Sequence, residues 1–183
     1  MKTMYFITGN KGKAEEAREK LKPLHIMIIQ RDLGYPEIQA DTLEEVARAG
    51  VEYVQQKFNQ PFILEDAGLF IEHLQGFPGV YSKYVFLTIG LPGILQLLAG
   101  VKKRTAVFRS VYAYAEPKQP PFIVCGECEG TITTSVRGTH GFGYDPLFIP
   151  TGSTKTFGEM TTEEKNRFSH RAKALEKLVQ HLK

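Results

Sequence analysis

The segment Gly141-Phe142-Gly143-Tyr144-Asp145-Pro146, with Lys165 and Ser169-His170-Arg171 downstream, sets an aromatic ring between two glycines and supplies several polar partners. Glycine on both sides of Phe142 leaves no Cβ to hold off a second flat ring and permits backbone angles that other residues avoid. Stacking of a base on an aromatic side chain is worth ~1–3 kcal/mol. Lys165, His170 and Arg171 can direct N–H donors at the edge of such a ring. Read locally, these residues make a pocket for a purine-like heterocycle. The same composition also reads as turn material, since Gly supplies positive φ and Pro fixes its own.

A second group, Thr8-Gly9-Asn10-Lys11-Gly12-Lys13, falls where a first strand ends and a first helix begins. Backbone N–H groups and the positive end of the helix dipole converge at such a junction, which suits an anion. Thr8 and Asn10 add polar side chains and Lys13 a charge, so a triphosphate fits. The spacing is not that of a Walker P-loop, because Gly9 and Gly12 stand too close and Ala14, not Ser or Thr, follows Lys13. Taken alone, capping of a helix by Asn10 after a Gly turn is the plainer reading of the segment.

Two carboxylates are candidates for chemistry at phosphate. Asp66, in Glu65-Asp66, is expected to close a short strand, and strand C-termini are where α/β sheets bind ligands. Glu37 lies in Tyr35-Pro36-Glu37-Ile38-Gln39. Magnesium is commonly held by one or two carboxylates together with substrate phosphates, a role Glu37 and Asp66 could share. A turn before Gly68 and a solvated Glu37 are the plainer readings.

The elements that must carry these groups follow from periodicity. Residues 2–8 read as a buried strand, 13–21 as a helix and 25–30 as a second strand, a β-α-β unit that points to an α/β fold. Thr42-Leu43-Glu44-Glu45 is a capping-box pattern before the apolar stripe Leu43, Val46, Ala47, Val51, Val54. A short strand is expected from Pro61 to Asp66, and helices over 82–88 and 91–99. Two longer antiparallel strands are expected over 104–115 and 122–133, with Pro117, Pro120 and Pro121 in their connection. Leu147-Phe148-Ile149 reads as a short strand. A last helix presents Leu175, Leu178, Val179 and Leu182, with Ser169 as its N-cap.

The chain has 183 residues, is 42% hydrophobic and carries a formal net charge of +3. One compact domain spanning 1–183 is expected. No apolar run approaches a membrane span, and Met4 to Ile7 is too short for the apolar core of a signal peptide, so the default expectation is a cytoplasmic protein without a membrane partner. Charges are dispersed, which argues against a nucleic-acid-binding arm. Cys125 and Cys128 form a lone C-x-x-C without the second pair of a zinc ribbon or the helix start of a redox motif, and read as ordinary thiols.

Taken in order, Thr8-Gly9-Asn10-x-x-Lys13, Glu65-Asp66-x-Gly68-Leu69, Gly76-Phe77-Pro78-Gly79, Gly141-Phe142-Gly143-Tyr144-Asp145-Pro146 and Glu164-Lys165-Asn166-x-x-Ser169-His170-Arg171 span nearly the whole chain. The chain resembles the inosine/xanthosine triphosphate pyrophosphatases, which clear deaminated purine nucleotides. The resemblance implies an elongated mixed β-sheet flanked by helices, with two lobes and the active-site cleft between them. It implies that Thr8 to Lys13 bind the triphosphate, that Glu37 and Asp66 ligate Mg2+, and that Asp66 accepts the proton. Phe142, Gly143, Tyr144 and Asp145 would form the base loop, completed by Lys165, His170 and Arg171, with Glu16 orienting Arg171. Ala67 would lie against the substrate, where many members carry Ser or Thr, so only its backbone N–H is offered there. A homodimer is also implied.

Two other classes remain open. A regulatory module could bind purine triphosphates without cutting them, giving Glu37 and Asp66 no role. A weak RNA-binding protein would show steeply salt-dependent binding.

Overall fold

In a computed structural model, which describes residues 2–36 and 38–182, the chain builds a mixed sheet of seven strands, order β2-β1-β3-β5-β6-β7, with β4 paired on β3. The mixed α/β class expected from the sequence is the one observed. The backbone gathers into two compact units. The first takes in the chain to Asp66, Ser110–Gly126 and the chain from Arg171; the second takes in Ala67–Arg109 and Glu127–His170.

In the first unit, β1 (Lys2–Ile7) lies parallel to β2 (Ile26–Arg31), with Tyr5 opposite Ile29, and parallel to β3 (Phe62–Ile71), with Ile7 opposite Leu64. The continuous apolar run of β1 follows from cover on both faces. On one face Met4, Phe6, Ile28 and Ile63 meet Ala14, Ala17 and Leu21 of α1 (Lys11–Leu21) and Ala174, Leu175 and Leu178 of α6 (His170–His181). On the other, α2 (Leu43–Gln55) comes so near Leu64 that a Cβ on Gly50 would stand 3.1 Å from its Cδ2.

β3 departs from expectation. The sequence predicts a strand ending at Asp66, whereas the strand continues to Ile71. Gly68 signals a turn by composition, but here it serves close approach: a Cβ on it would stand 2.3 Å from the carbonyl oxygen of Gly79. That contact lets β4 (Pro78–Gly79) pair with β3, Leu69 opposite Gly79 and Phe70 opposite Pro78. Asp66 is therefore inside a strand and not at its end. It stands two residues beyond Leu64, where pairing with β1 stops, which still puts it just past a C-terminal strand edge.

The second unit packs α3 (Ser82–Thr88) and α4 (Gly90–Leu97) with the facing parts of β5 (Thr105–Ala115) and β6 (Phe122–Ile132), and β7 (Phe148–Pro150) lies antiparallel to β6. Its core holds Leu69, Ile71, Ile94, Leu98, Phe108, Ile132, Leu147, Phe148 and Phe157. Both long strands match their predicted spans to within a residue. Cys125 and Cys128 are free thiols on β6; three residues apart on a strand, they point to opposite faces. A short helix α5 (Thr162–Asn166), which the periodicity does not predict, carries Lys165. No helix among the described residues is long and apolar enough to cross a membrane.

Candidate active site

The start of α1 is built for a negative charge that the helix does not itself supply. Asn10 caps it, its Oδ1 accepting the N–H of Lys13 at 3.1 Å, and the first turn contains no acidic residue. α2 does the opposite. Its Thr42 and Glu45 form a full capping box, with Glu44 also in the first turn, so that helix neutralises its own positive end. A helix N-terminus whose first turn holds Lys11 and Lys13 and no carboxylate is a favourable place for an anion. The turn before it is firmly held. Thr8 donates its N–H to Arg31 at 2.8 Å, accepts Gln30 Nε2 on its carbonyl at 3.0 Å, and accepts the Asn10 N–H on its hydroxyl at 3.1 Å. Gly9, Asn10 and Lys11 are exposed, while Gly12 and Lys13 are half-buried.

Lys13 turns inward. Its Nζ lies 2.7 Å from Glu65 Oε2 and donates to the Glu65 carbonyl at 3.1 Å. Glu65 Oε1 accepts from Arg171 Nε at 3.1 Å and from Ser110 Oγ at 2.6 Å. Arg171 Nη1 in turn lies 3.2 Å from Glu16 Oε2. Burial alone would push the Glu65 carboxyl up; the Lys13 and Arg171 charges, with hydrogen bonds from Lys13 and Ser110, bring it below the ordinary range. Glu65 is thus a fixed anion. The fully buried Tyr112 is held protonated, its pKa well above the usual range, by burial and by the Glu65 charge. Asp66, the next residue after Glu65, is half-buried.

In the second unit the base-loop candidates fold around Asp145. Its Oδ2 accepts the N–H of Phe142 at 2.8 Å and pairs with Lys165 Nζ at 2.6 Å. Gly141, at φ +74°, leaves no Cβ; one added there would stand 2.1 Å from the same Oδ2. Lys165 Nζ also sits 5.0 Å from the centroid of the half-buried Phe142 ring. Tyr144 is buried, and its hydroxyl donates to the carbonyl of Ser82 at 2.8 Å. His170, fully buried, stacks on Phe108 with centroids 4.6 Å apart and planes 8° from parallel. The side chains of Tyr144 and His170 thus help hold the loop and the start of α6 in place.

Ala67 opens the second unit's part of β3 and is half-buried. Two residues on, the Leu69 N–H donates to Ser82 Oγ at 2.8 Å, and that hydroxyl donates to Gly79 O at 2.6 Å. The Glu-Asp and Gly-Phe-Pro-Gly motifs, ten residues apart, are thereby joined through Ser82. Nothing in the sequence marks Ser82 or Ser110. Glu65 stands in the Glu-Asp motif, but its partners Ser110, Lys13 and Arg171 are 45, 52 and 106 residues away.

Glu37, expected as a metal ligand with Asp66, lies outside the described residues. Among the described residues no three His, Cys, Asp or Glu side chains gather into a protein-only metal cage. The half-buried carboxylate of Asp66, next to the Lys13-bound Glu65, would suit a hard ion completed by phosphate and water, as magnesium is.

Residues 4–181 match the Ham1 family. The chain is 54% identical over 178 residues to the dITP/XTP pyrophosphatase of Thermococcus kodakarensis, covering 97% of this chain and 96% of that protein. It is 52% identical over 181 residues to the dITP/XTP pyrophosphatase of Pyrococcus horikoshii, covering 98% and 96%. The solved HAM1 protein from Coxiella burnetii superposes with a TM-score of 0.84 at 31% identity, covering 100% of this chain and 98% of that one. The chain belongs to the Ham1 family.

Proposed function

We propose that this Ham1-family chain hydrolyses deaminated purine nucleoside triphosphates, ITP, dITP and XTP, to the monophosphate and pyrophosphate, acting as one domain over residues 1–183. The observation that carries the reading is the position of Lys13. Its ammonium, at a helix start free of acidic residues, sits on the carbonyl of Glu65, so the charge suited to the triphosphate is held one residue from Asp66.

In this reading the turn Thr8 to Gly12 and the N-terminus of α1 receive the phosphates. Asp66 takes a proton from water, the resulting hydroxide adds to the α-phosphorus, and the bond to the β-phosphate oxygen breaks. Lys13 and the helix terminus stabilise the pyrophosphate that leaves. Mg2+, held by Asp66 and Glu37, would lower the phosphate charge and acidify the water. Phe142 stacks on the purine, with the backbone of Gly143, Tyr144 and Asp145 and the region of His170 shaping its edge. Lys165 and Arg171 carry donors and no acceptors, which suits a 6-oxo purine and meets the amino group of adenine donor to donor. Sites that depend on such bonds reject the wrong partner by about 10⁴ or more. Ala67 contributes only its N–H.

A homodimer fits the exposed apolar side chains of α3, Tyr84 and Leu87, 69% and 73% exposed. Sedimentation of the wild type and of Leu87→Glu reads the dimer.

The deciding experiment is a panel of ITP, XTP, dITP, GTP and ATP with magnesium, reading pyrophosphate against phosphate. Pyrophosphate from the first three at kcat/KM far above that for ATP is expected. Orthophosphate as the product, or equal rates on ATP and ITP, would overturn the reading. Binding of ITP without any release of pyrophosphate would instead leave a sensing module.

A further inference from the structure

Glu65 has no chemical step in the reaction proposed above, yet the residue is 1% exposed and its carboxylate meets two cations and a hydroxyl. Removing a carboxylate from water is costly, and an apolar side chain of similar size is commonly no worse for stability. What an apolar side chain could not do is hold two cations. Oε2 holds Lys13 at 2.7 Å; Oε1 holds Arg171 at 3.1 Å and is itself oriented by the Ser110 hydroxyl at 2.6 Å. Glu16 secures the far side of the guanidinium at 3.2 Å.

Lys13 shows that this is more than neutralisation of a buried arginine. Its side chain is 17% exposed at the start of a helix and could reach water at little cost. The positive end of the helix dipole also disfavours a cation in the first turn. The lysine nevertheless folds back onto both the side chain and the carbonyl of Glu65. A flexible four-carbon stem is thus given one geometry before any phosphate arrives, and such pre-organisation lowers the ordering cost of binding.

We infer that Glu65 is a positioning residue that fixes Lys13 and Arg171 through one carboxylate, so that affinity for the pyrophosphate group and discrimination at the purine edge depend on the same side chain. The inference rests on the roles given to Lys13 and Arg171 under the proposed function.

The test uses product binding, which is independent of turnover. Calorimetry with magnesium present measures pyrophosphate, which reads the Lys13 end, and the IMP to AMP affinity ratio, which reads the Arg171 end. Glu65→Gln is isosteric and removes the charge; it is expected to weaken pyrophosphate roughly tenfold and to reduce the IMP to AMP ratio by a similar factor. Ser110→Ala keeps the charge and loosens only its orientation, and is expected to move both readings the same way by about threefold. Thermal melts confirm that each variant is folded. Wild-type values for both readings in folded Glu65→Gln, or a change in only one of them, would overturn the inference; a role in stability alone lowers the melting temperature and moves neither. Should Glu65→Gln not fold, Ser110→Ala decides by the same two readings. Failure of the proposed function is seen separately, as absence of pyrophosphate release from ITP by the wild type.

Discussion

Lys165 Nζ lies 2.6 Å from Asp145 Oδ2, both side chains 3% exposed, and the same oxygen accepts the N–H of Phe142 at 2.8 Å. One carboxylate therefore fixes the lysine proposed to read the purine and the backbone that aims the aromatic ring. The loop is closed on itself by this pair, so its geometry does not wait for a ligand.

Asp145→Ala leaves the Lys165 ammonium buried without its carboxylate. Breaking one side of a buried pair costs about 3–5 kcal/mol. A large drop in urea midpoint is expected, together with a KM for ITP raised at least ~10-fold in whatever enzyme remains folded. Asp145→Asn keeps the shape and an acceptor for Phe142 and should lose less on both counts. An Asp145→Ala enzyme of ordinary stability and KM would show that the pair organises nothing.

Asp66→Asn keeps the size and polarity of the side chain and removes the base. General-base catalysis typically contributes ~10²–10⁴ in rate, so kcat for ITP should fall by that order while pyrophosphate still binds. Single-turnover measurement separates this from slow release. Turnover within a few-fold of wild type would take Asp66 out of the base role.

The sequence reveals the fold best where local signals and tertiary packing agree. Thr42 and Glu45 announce α2, and the capping box is present as the spacing predicts. β1, α1 and β2 follow from one apolar run, one glycine break and one helical stripe. β3 is read short because Gly68 resembles a turn by composition, and only the neighbouring Gly79 carbonyl explains why a glycine is needed inside a strand. The helix carrying Lys165 escapes periodicity because it has five residues, although Thr161 and Glu164 have capping-box spacing and do form that box. At the site, residue types pointed to Lys13, Asp66, Phe142 and Lys165. The sequence could not show that Tyr144 donates to Ser82 or that His170 stacks on Phe108, since each contact joins residues 62 apart.

Loss of stability in acid has a local source in the capping boxes. The Glu45 carboxyl is held below its ordinary value of 4.5, first by the N–H of Thr42 and then by its hydroxyl and the N–H of Asp41. A carboxylate whose folded pKa is depressed binds fewer protons folded than unfolded, so its contribution is present above about pH 4.5 and is lost as pH falls through the folded value. Glu45→Gln should therefore lower stability near neutrality and flatten the loss below pH 4.5. Chemical denaturation at pH 7 and at pH 3 checks this, and an identical pH slope in both proteins would contradict it.

Ser82 joins two motifs and the loop. Its hydroxyl takes the Leu69 N–H and gives its proton to Gly79 O, while its carbonyl takes the Tyr144 hydroxyl. Ser82→Ala leaves a buried donor and a buried acceptor unsatisfied, about 1–3 kcal/mol each. Tyr144→Phe removes only the third bond and spares the first two. If the three bonds act as one brace between β3 and the loop, the double variant should lose less stability than the sum of the singles, because residues that share a network are not additive. Strict additivity in the double-mutant cycle would mean that Ser82 supports the β3 and β4 pairing and the loop as two independent contacts.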